Sequence, residues 1–237
     1  MIEIIKLKKQ YEEKVALAQV NLKIEDSQVI GILGENGAGK TTLLKCLAGL
    51  TDYEGEIRYE DVTTIKERSA KIAYMTEEGS YFPFMTALEN ALFLEDFYEC
   101  FDLERFKKLC EFLDLPMKQK ARTLSKGQKA KLEIALGFSK GAKYLLLDEP
   151  FLGNDIFTRR NFLKMMCDSL IQNETIVIAT HLIDEIENFI DRAVLIRKGD
   201  IIEDVMVEEL HERGENLEVL MKKAFEYDEE RYRKIFA

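Results

Sequence analysis

The sequence predicts an α/β fold whose mostly parallel sheet is covered on both faces by helices, and three observations point to it. Apolar runs without alternation at residues 29–33, 144–147 and 175–179 suit strands buried on both sides. Segments of helical spacing separate such runs, the first carrying Leu43, Leu44, Leu47 and Ala48 within residues 41–50. The first junction between strand and helix is a glycine-rich turn at residues 34–39.

Along the chain, residues 1–30 alternate in short apolar stretches (Ile2, Ile4, then Val20, Leu22, Ile24) around the polar turn Glu25-Asp26-Ser27, the pattern of an N-terminal antiparallel β subdomain. Residues 57–59 and 72–75 read as further strands. Residues 86–115 are dominated by helix-period apolar positions with Glu, Lys and Arg between them, and a second helix is expected over 126–138. This block, residues 84–142, interrupts the alternation of strands and helices and is expected to be an inserted helical subdomain. Residues 193–196 and 201–203, joined through Lys198-Gly199-Asp200, read as a hairpin. A C-terminal helical extension is expected over 205–237, with a charged amphipathic helix over 216–236. No internal repeat and no Pro/Gly/Ser-rich linker divides the chain, so residues 1–237 are expected to form one domain.

Composition narrows the function classes. A 237-residue chain that is 46% hydrophobic and 33% charged can bury one sizeable core. Its formal net charge of −10 argues against nucleic acid or anionic lipid held by charge alone, because neutralising phosphates needs a basic surface. No nucleic-acid partner is expected. Cys46, Cys100, Cys110 and Cys167 form no CxxC pair and have no histidine at metal-ligand spacing, so they read as reduced, mostly buried thiols. The opening MIEIIKLKKQYEEK mixes charge and apolar residues too evenly for a signal peptide. No apolar run approaches the roughly 18 residues of a membrane span. A cytoplasmic location is expected, with any work on a membrane passing through a partner.

Gly34-Glu35-Asn36-Gly37-Ala38-Gly39-Lys40-Thr41 fits G-x-x-x-x-G-K-[ST] and stands directly after a strand and at the opening of a helix. Small residues let the backbone close around a polyphosphate, and successive N–H groups at the helix N-terminus point at it. Lys40 brings a cation to the β/γ-phosphates and Thr41 a hydroxyl to Mg²⁺; the segment from Gly34 to Thr42 is the candidate ATP-binding loop. Further on, Tyr144-Leu145-Leu146-Leu147-Asp148-Glu149-Pro150 is an apolar strand ending in two acids. Alone it would be an ordinary boundary between strand and turn. Beside a phosphate loop, the first acid, Asp148, can reach the Mg²⁺ shell, and the second, Glu149, can orient or deprotonate a water. His181 ends the next apolar strand, where it either reaches a terminal phosphate oxygen or is structural, as His211 is read to be.

Between these motifs stands Leu124-Ser125-Lys126-Gly127-Gln128. By itself it is a helix N-cap. In this order it looks like the L-S-G-G-Q signature, and with it the chain resembles the ABC (ATP-binding cassette) ATPase family over essentially its whole length. Ser125 follows Lys40 by 85 positions, which suits a transporter subunit rather than a long coiled-coil relative. The resemblance implies a P-loop NTPase (RecA-like) core with the antiparallel and helical subdomains above, ATP and Mg²⁺ as cofactors, and sites split between two subunits. One subunit supplies Lys40, Glu149 and His181 for catalysis, while Ser125, Lys126, Gly127 and Gln128 grip the ATP of the opposite subunit. Tyr11 falls where family members stack a ring on adenine, the lesser alternative being an ordinary strand tyrosine. Glu77 falls at the Q-loop, joining Thr41 and Asp148 around the metal, and Gly153-Asn154-Asp155 falls at the D-loop, which runs along the dimer interface. Three residues depart from the family pattern: Lys126 for the first signature glycine, Glu77 for glutamine, and Asn154 for leucine. None removes a catalytic group.

What the resemblance implies is a Mg-dependent ATPase working with a second ATP-binding subunit, identical or not, on a transmembrane permease. It would sit peripherally at the inner face of the cell membrane. The motif set and short C-terminal extension look most like exporters of drug or peptide type. A soluble ATPase of a cofactor-assembly or regulatory complex is the alternative. Tyr81-Phe82-Pro83-Phe84-Met85 lies where family members receive a permease helix; Phe82 or Phe84 either makes that contact or fills the subdomain's own core.

Overall fold

The computed structural model describes residues 1–60, 62, 64–76, 78–150, 163 and 173–225, apart from the side chains of 184 and 185. Strands β1 (Ile2–Tyr11), β2 (Lys14–Ile24) and β4 (Glu54–Tyr59) form an antiparallel sheet in the order β2-β1-β4. The second sheet holds β3 (Val29–Leu33), β5 (Ile72–Thr76), β6 (Tyr144–Asp148), β7 (Thr175–Thr180), β8 (Arg192–Arg197) and β9 (Asp200–Met206). Its order is β5-β6-β7-β3-β8-β9, parallel up to β8, with β9 antiparallel at the edge.

Alternation along the parallel strands sorts their side chains onto two faces. Ile30, Ile32, Leu146, Val177, Val194 and Ile196 pack with Ile2, Leu7, Leu17 and Val20 of the antiparallel sheet and with Leu43, Leu44 and Leu47 of α1 (Lys40–Ala48). Val29, Leu33, Leu145, Leu147, Ile176, Ile178 and Leu195 face the other way. There they meet Ala91 of α3 (Ala87–Phe97), Phe106 of α4 (Leu103–Phe112) and Leu132 of α5 (Lys126–Ser139). Covering both faces is what makes the apolar runs continuous rather than alternating.

Several elements differ from the sequence expectation. The helical stretch expected over 86–115 is two helices, because Asp102 caps a new one: its side chain accepts from the Arg105 N–H at 2.7 Å while its own N–H donates to Ser139 O at 2.7 Å. A helix α2 (Ile65–Lys71) was not anticipated, although its capping box, Thr64 with Glu67, is a readable T-x-x-E pattern. In the hairpin Arg197 pairs with Asp200, so the turn is Lys198-Gly199 alone, both left-handed (φ 51° and 85°), and Asp200 belongs to β9. The C-terminal helical part begins after Met206 rather than at residue 205. It comprises α7 (Val207–Glu212) and α8 (Leu217–Ala224), preceded by the short α6 (Ile183–Ile186), which periodicity did not reveal. The amphipathic helix expected over 216–236 is described only to Ala224, since residues 226–237 lie outside the described ones.

Cys46 and Cys110 are buried and Cys100 is exposed, all three unpaired; Cys167 lies outside the described residues. Burial pushes the Cys46 thiol up to about 11 and the Cys110 thiol to about 12, which makes both poor nucleophiles near neutrality.

Candidate functional site

β3 is buried at every position and delivers the chain at the carboxyl edge of the parallel sheet, the edge where β6 and β7 also end. Residues 34–39 turn there and α1 begins at Lys40. The Lys40 side chain is 6% exposed; its ammonium donates to Gly34 O at 2.7 Å and Glu35 O at 3.2 Å and stands 3.7 Å from Glu149 Oε1. Burial lowers its pKa, with the Glu149 and Asp148 carboxylates pulling the other way. Thr41 Oγ1 donates to Asp148 Oδ1 at 2.9 Å, and the Tyr74 hydroxyl donates to Asp148 Oδ2 at 3.0 Å. The Asp148 carboxyl is raised by its burial, and the two hydroxyls moderate the rise.

Glu149 has left-handed backbone (φ 50°), a conformation costing a non-glycine residue roughly 1–2 kcal/mol. Its N–H donates to Ala179 O at 2.8 Å. Its side chain accepts from Thr180 Oγ1 at 3.0 Å and meets His181 Nδ1 at 2.8 Å. Strain of this kind persists where surrounding contacts over-determine it, and functional sites are where it gathers.

Above these residues lies a cavity of about 250 Å³ lined by Asn36, Gly37, Gly39, Lys40, Thr41, Thr42 and Glu149 and, from the antiparallel sheet, by Tyr11, Lys14 and Ala16. Tyr11 is 44% exposed, with Lys9 Nζ 4.8 Å from its ring centroid, so one face of the wall is aromatic. Of the other loop residues, Gly34 and Glu35 contribute carbonyls to Lys40, and Ala38 is buried against the hairpin. Lys14 and Ala16 were missed in the sequence; only the folding of β2 over the loop brings them there.

The Lys198-Gly199 turn is a second contribution the sequence hid. The Gly199 N–H donates to Ala38 O at 2.9 Å, and Gly199 O accepts from the Ala18 N–H at 3.0 Å, so the hairpin tip ties the phosphate loop to β2. A Cβ would approach Ala16 O to 2.8 Å from Gly199 and to 2.6 Å from Gly39, and both residues have positive φ. Gly199→Ala is therefore expected to cost roughly 1–2 kcal/mol from conformation alone and to weaken nucleotide binding. Thermal melting together with a nucleotide titration checks both effects.

Ser125, Lys126, Gly127 and Gln128 do not line this cavity. Ser125 caps α5, accepting from the Gln128 N–H at 3.2 Å, while Gln128 Oε1 accepts from the Ser125 N–H at 3.0 Å. Lys126 is exposed, and a Cβ at Gly127 would meet nothing within 4 Å. Among the described residues no close approach demands glycine at 127. Glu77 and Asp155, with Asn154, lie outside the described residues.

The donor set suits a divalent cation. Asp148 is 7% exposed, its oxygens are held by neutral hydroxyls, and it forms no ion pair among the described residues. Among those residues no cluster of three or more His, Cys, Asp or Glu is arranged to hold a metal by itself. Mg²⁺ is bound in this manner, through one or two carboxylates together with substrate phosphates and water.

A parallel sheet, a glycine loop opening a helix and a strand-end acid hydrogen-bonded to the loop's threonine define a P-loop nucleotide-binding protein. The family model described as ABC transporter matches residues 17–152, more than half of the chain. The chain belongs to that family, as a nucleotide-binding subunit. It is similar to the ABC transporter ATP-binding protein YtrB of Bacillus subtilis (strain 168), 31% identical over 216 residues covering 90% of this chain and 74% of that one. The ATP-binding protein NatA of the same organism is 31% identical over 85% of this chain and 87% of its own length. Among solved structures, an ATP-binding subunit of an ABC transporter shares the fold with a TM-score of 0.88 at 22% identity, covering 95% of this chain and 99% of that one. A dimeric ATP-binding cassette in a post-hydrolysis state bound to ADP and Pi gives 0.78 at 25% identity, covering 87% and 99%. Among the described residues no helix is long and apolar enough to cross a membrane.

Proposed function

We propose that this ATPase subunit hydrolyses MgATP in a site completed by a second ATP-binding subunit, and thereby drives export of a solute through a separate permease. The observation that carries the proposal is the placement of Glu149, held by Thr180 and His181 beside Lys40 at the floor of the nucleotide cavity. Thr41 and Asp148, with Glu77 by resemblance, would hold Mg²⁺, which when bound supplies positive charge to the phosphates. Tyr11 offers its ring to the adenine. Lys40 turns from the loop carbonyls toward the β/γ-phosphates, and Glu149 takes the proton of the attacking water while His181 fixes its carboxylate. Ser125 and Gly127 face the nucleotide of the opposite subunit; the open space at Gly127 supports an approach from outside the chain. Asp155 would run along that interface.

The permease contact is placed on the aromatic ridge that opens the helical layer. Phe84 is 70% exposed and Phe97 66%, and Phe82 stacks edge-on to Phe93 at 4.7 Å, with Phe93 at 4.6 Å from Phe97. Exposed rings at Phe82, Phe84 and Phe97, the first and last joined through the half-buried Phe93, favour a covering partner over a role in the helices' own core. A photo-crosslinking residue at position 84, in membranes containing the native complex, should capture an integral membrane protein; capture of soluble proteins alone would move this surface to another partner. With that partner the subunit would lie peripherally on the cytoplasmic face of the membrane. Export follows the resemblance of the motif set to drug and peptide exporters. Loss of solute uptake, rather than loss of efflux, on deletion of the subunit would reverse the direction.

A further inference from the structure

Glu133 is a carboxylate that the proposed reaction leaves unused, yet it is 4% exposed and forms no ion pair among the described residues. Burying a carboxylate costs several kcal/mol unless hydrogen bonds replace its water. All its recorded bonds go to one segment: Oε2 accepts from the Ser80 N–H at 2.7 Å, and Oε1 accepts from the Ser80 hydroxyl at 2.7 Å and from the Thr76 N–H at 3.4 Å. Glu133 stands mid-way along α5, the helix that Ser125 caps. Thr76 ends β5 directly opposite Asp148 of β6. Met75, Thr76, Ala130 and Glu133 share the wall of a cavity of about 30 Å³ with Asp148 and Glu149.

We propose that Glu133 is a positioning residue for ATP hydrolysis: by clasping Thr76 and Ser80 it fixes the turn leaving β5 between the signature helix and the two strand-end acids. The inference rests on the ATP-hydrolysing reading above. Neither Thr76 nor Ser80 lines the nucleotide cavity, so the clasp acts on turnover more than on nucleotide affinity. It also carries a cost in stability, since burial pushes the Glu133 carboxyl up and an apolar side chain there would be easier to bury.

The test is steady-state ATPase kinetics and thermal melting of the full chain with Glu133→Leu, Glu133→Gln, Ser80→Ala and the Glu133→Leu/Ser80→Ala pair. A small misplacement near reacting groups should lower kcat of Glu133→Leu about 10- to 100-fold, with KM for MgATP within about twofold of the parent and no loss of melting temperature. Glu133→Gln should retain most of the rate, because its amide accepts from the Ser80 N–H and donates to the Ser80 hydroxyl. The pair should be no slower than Glu133→Leu alone, since the hydroxyl bond that Ser80→Ala removes is already lost with the Glu133 carboxylate. Parental kcat in Glu133→Leu, a rise in KM matching the fall in kcat, or additive losses in the pair would overturn the proposal. Should Glu133→Leu fail to fold, parental kcat in Ser80→Ala overturns it and a kcat-only loss supports it. Absence of ATPase activity in the parent protein would instead overturn the ATP-hydrolysing reading itself.

Discussion

Glu149→Gln protein is expected to bind MgATP as the parent does, to hydrolyse it about 10²- to 10⁴-fold more slowly, and to accumulate as a two-subunit species while ATP is present. The amide keeps the volume of the carboxylate and can still accept from Thr180 Oγ1, now 3.0 Å from Glu149 Oε2, so the strained turn is preserved. What it loses is the capacity to take a proton. Binding persists because Lys40, Thr41 and the loop backbone are untouched, and in the proposed cycle the paired state persists because hydrolysis is the step that would separate the halves. Single-turnover hydrolysis and size-exclusion chromatography in ATP read the two effects separately. Since His181 lies 2.8 Å from the same carboxylate and is proposed to act through it, adding His181→Ala to Glu149→Gln should slow turnover little further. Near-parental turnover by Glu149→Gln would remove Glu149 from the role of base.

The largest effect on stability is expected far from the nucleotide. Arg105 of α4 makes a two-pronged ion pair with Glu174, at 2.6 and 3.0 Å, just before β7, and its guanidinium carbon lies 5.9 Å from the Phe138 ring centroid. The side chains are 16% and 7% exposed, so this pair bridges the helical layer to the sheet largely out of water. Arg105→Ala leaves an uncompensated buried carboxylate and should cost about 3–5 kcal/mol, lowering Tm by roughly 6–20 °C for a chain of this size. Replacing both partners, Arg105→Met with Glu174→Leu, should restore most of the stability, because the desolvation penalty then disappears with the pair. Urea unfolding of the three proteins decides the matter. A loss below about 1 kcal/mol in Arg105→Ala would mean that the pair behaves as an exposed one.

Most of the nucleotide floor was legible in the sequence because its parts are local. Residues 34–42 carry their own strand-loop-helix context, and Asp148 and Glu149 end an apolar run whose burial on both faces follows from its composition. The groups that complete the site were not legible, because long-range pairing brings them there. Lys14 and Ala16 arrive when β2 folds over the loop, Gly199 when the β8–β9 hairpin reaches Ala38, and Tyr74 when β5 pairs with β6. Glu133 shares its helix with Lys129 and Lys131, and only the contacts from Thr76 and Ser80 reveal it as an inward-facing carboxylate. Local signals were also passed over. Thr64 with Glu67 and Asp102 ahead of Arg105 are caps that mark α2 and the start of α4, yet helical periodicity alone ran 86–115 together.

Function as a transporter subunit is tested most directly by what the protein holds when the nucleotide-bound pair is trapped. Tagged Glu149→Gln protein recovered with MgATP from detergent-solubilised native membranes should bring down a polytopic membrane protein in near-stoichiometric amount, and that partner would point to the solute. Reproducible recovery of soluble proteins alone, with ATP still bound, would contradict the transporter assignment and place the same ATPase site in an assembly or regulatory machine.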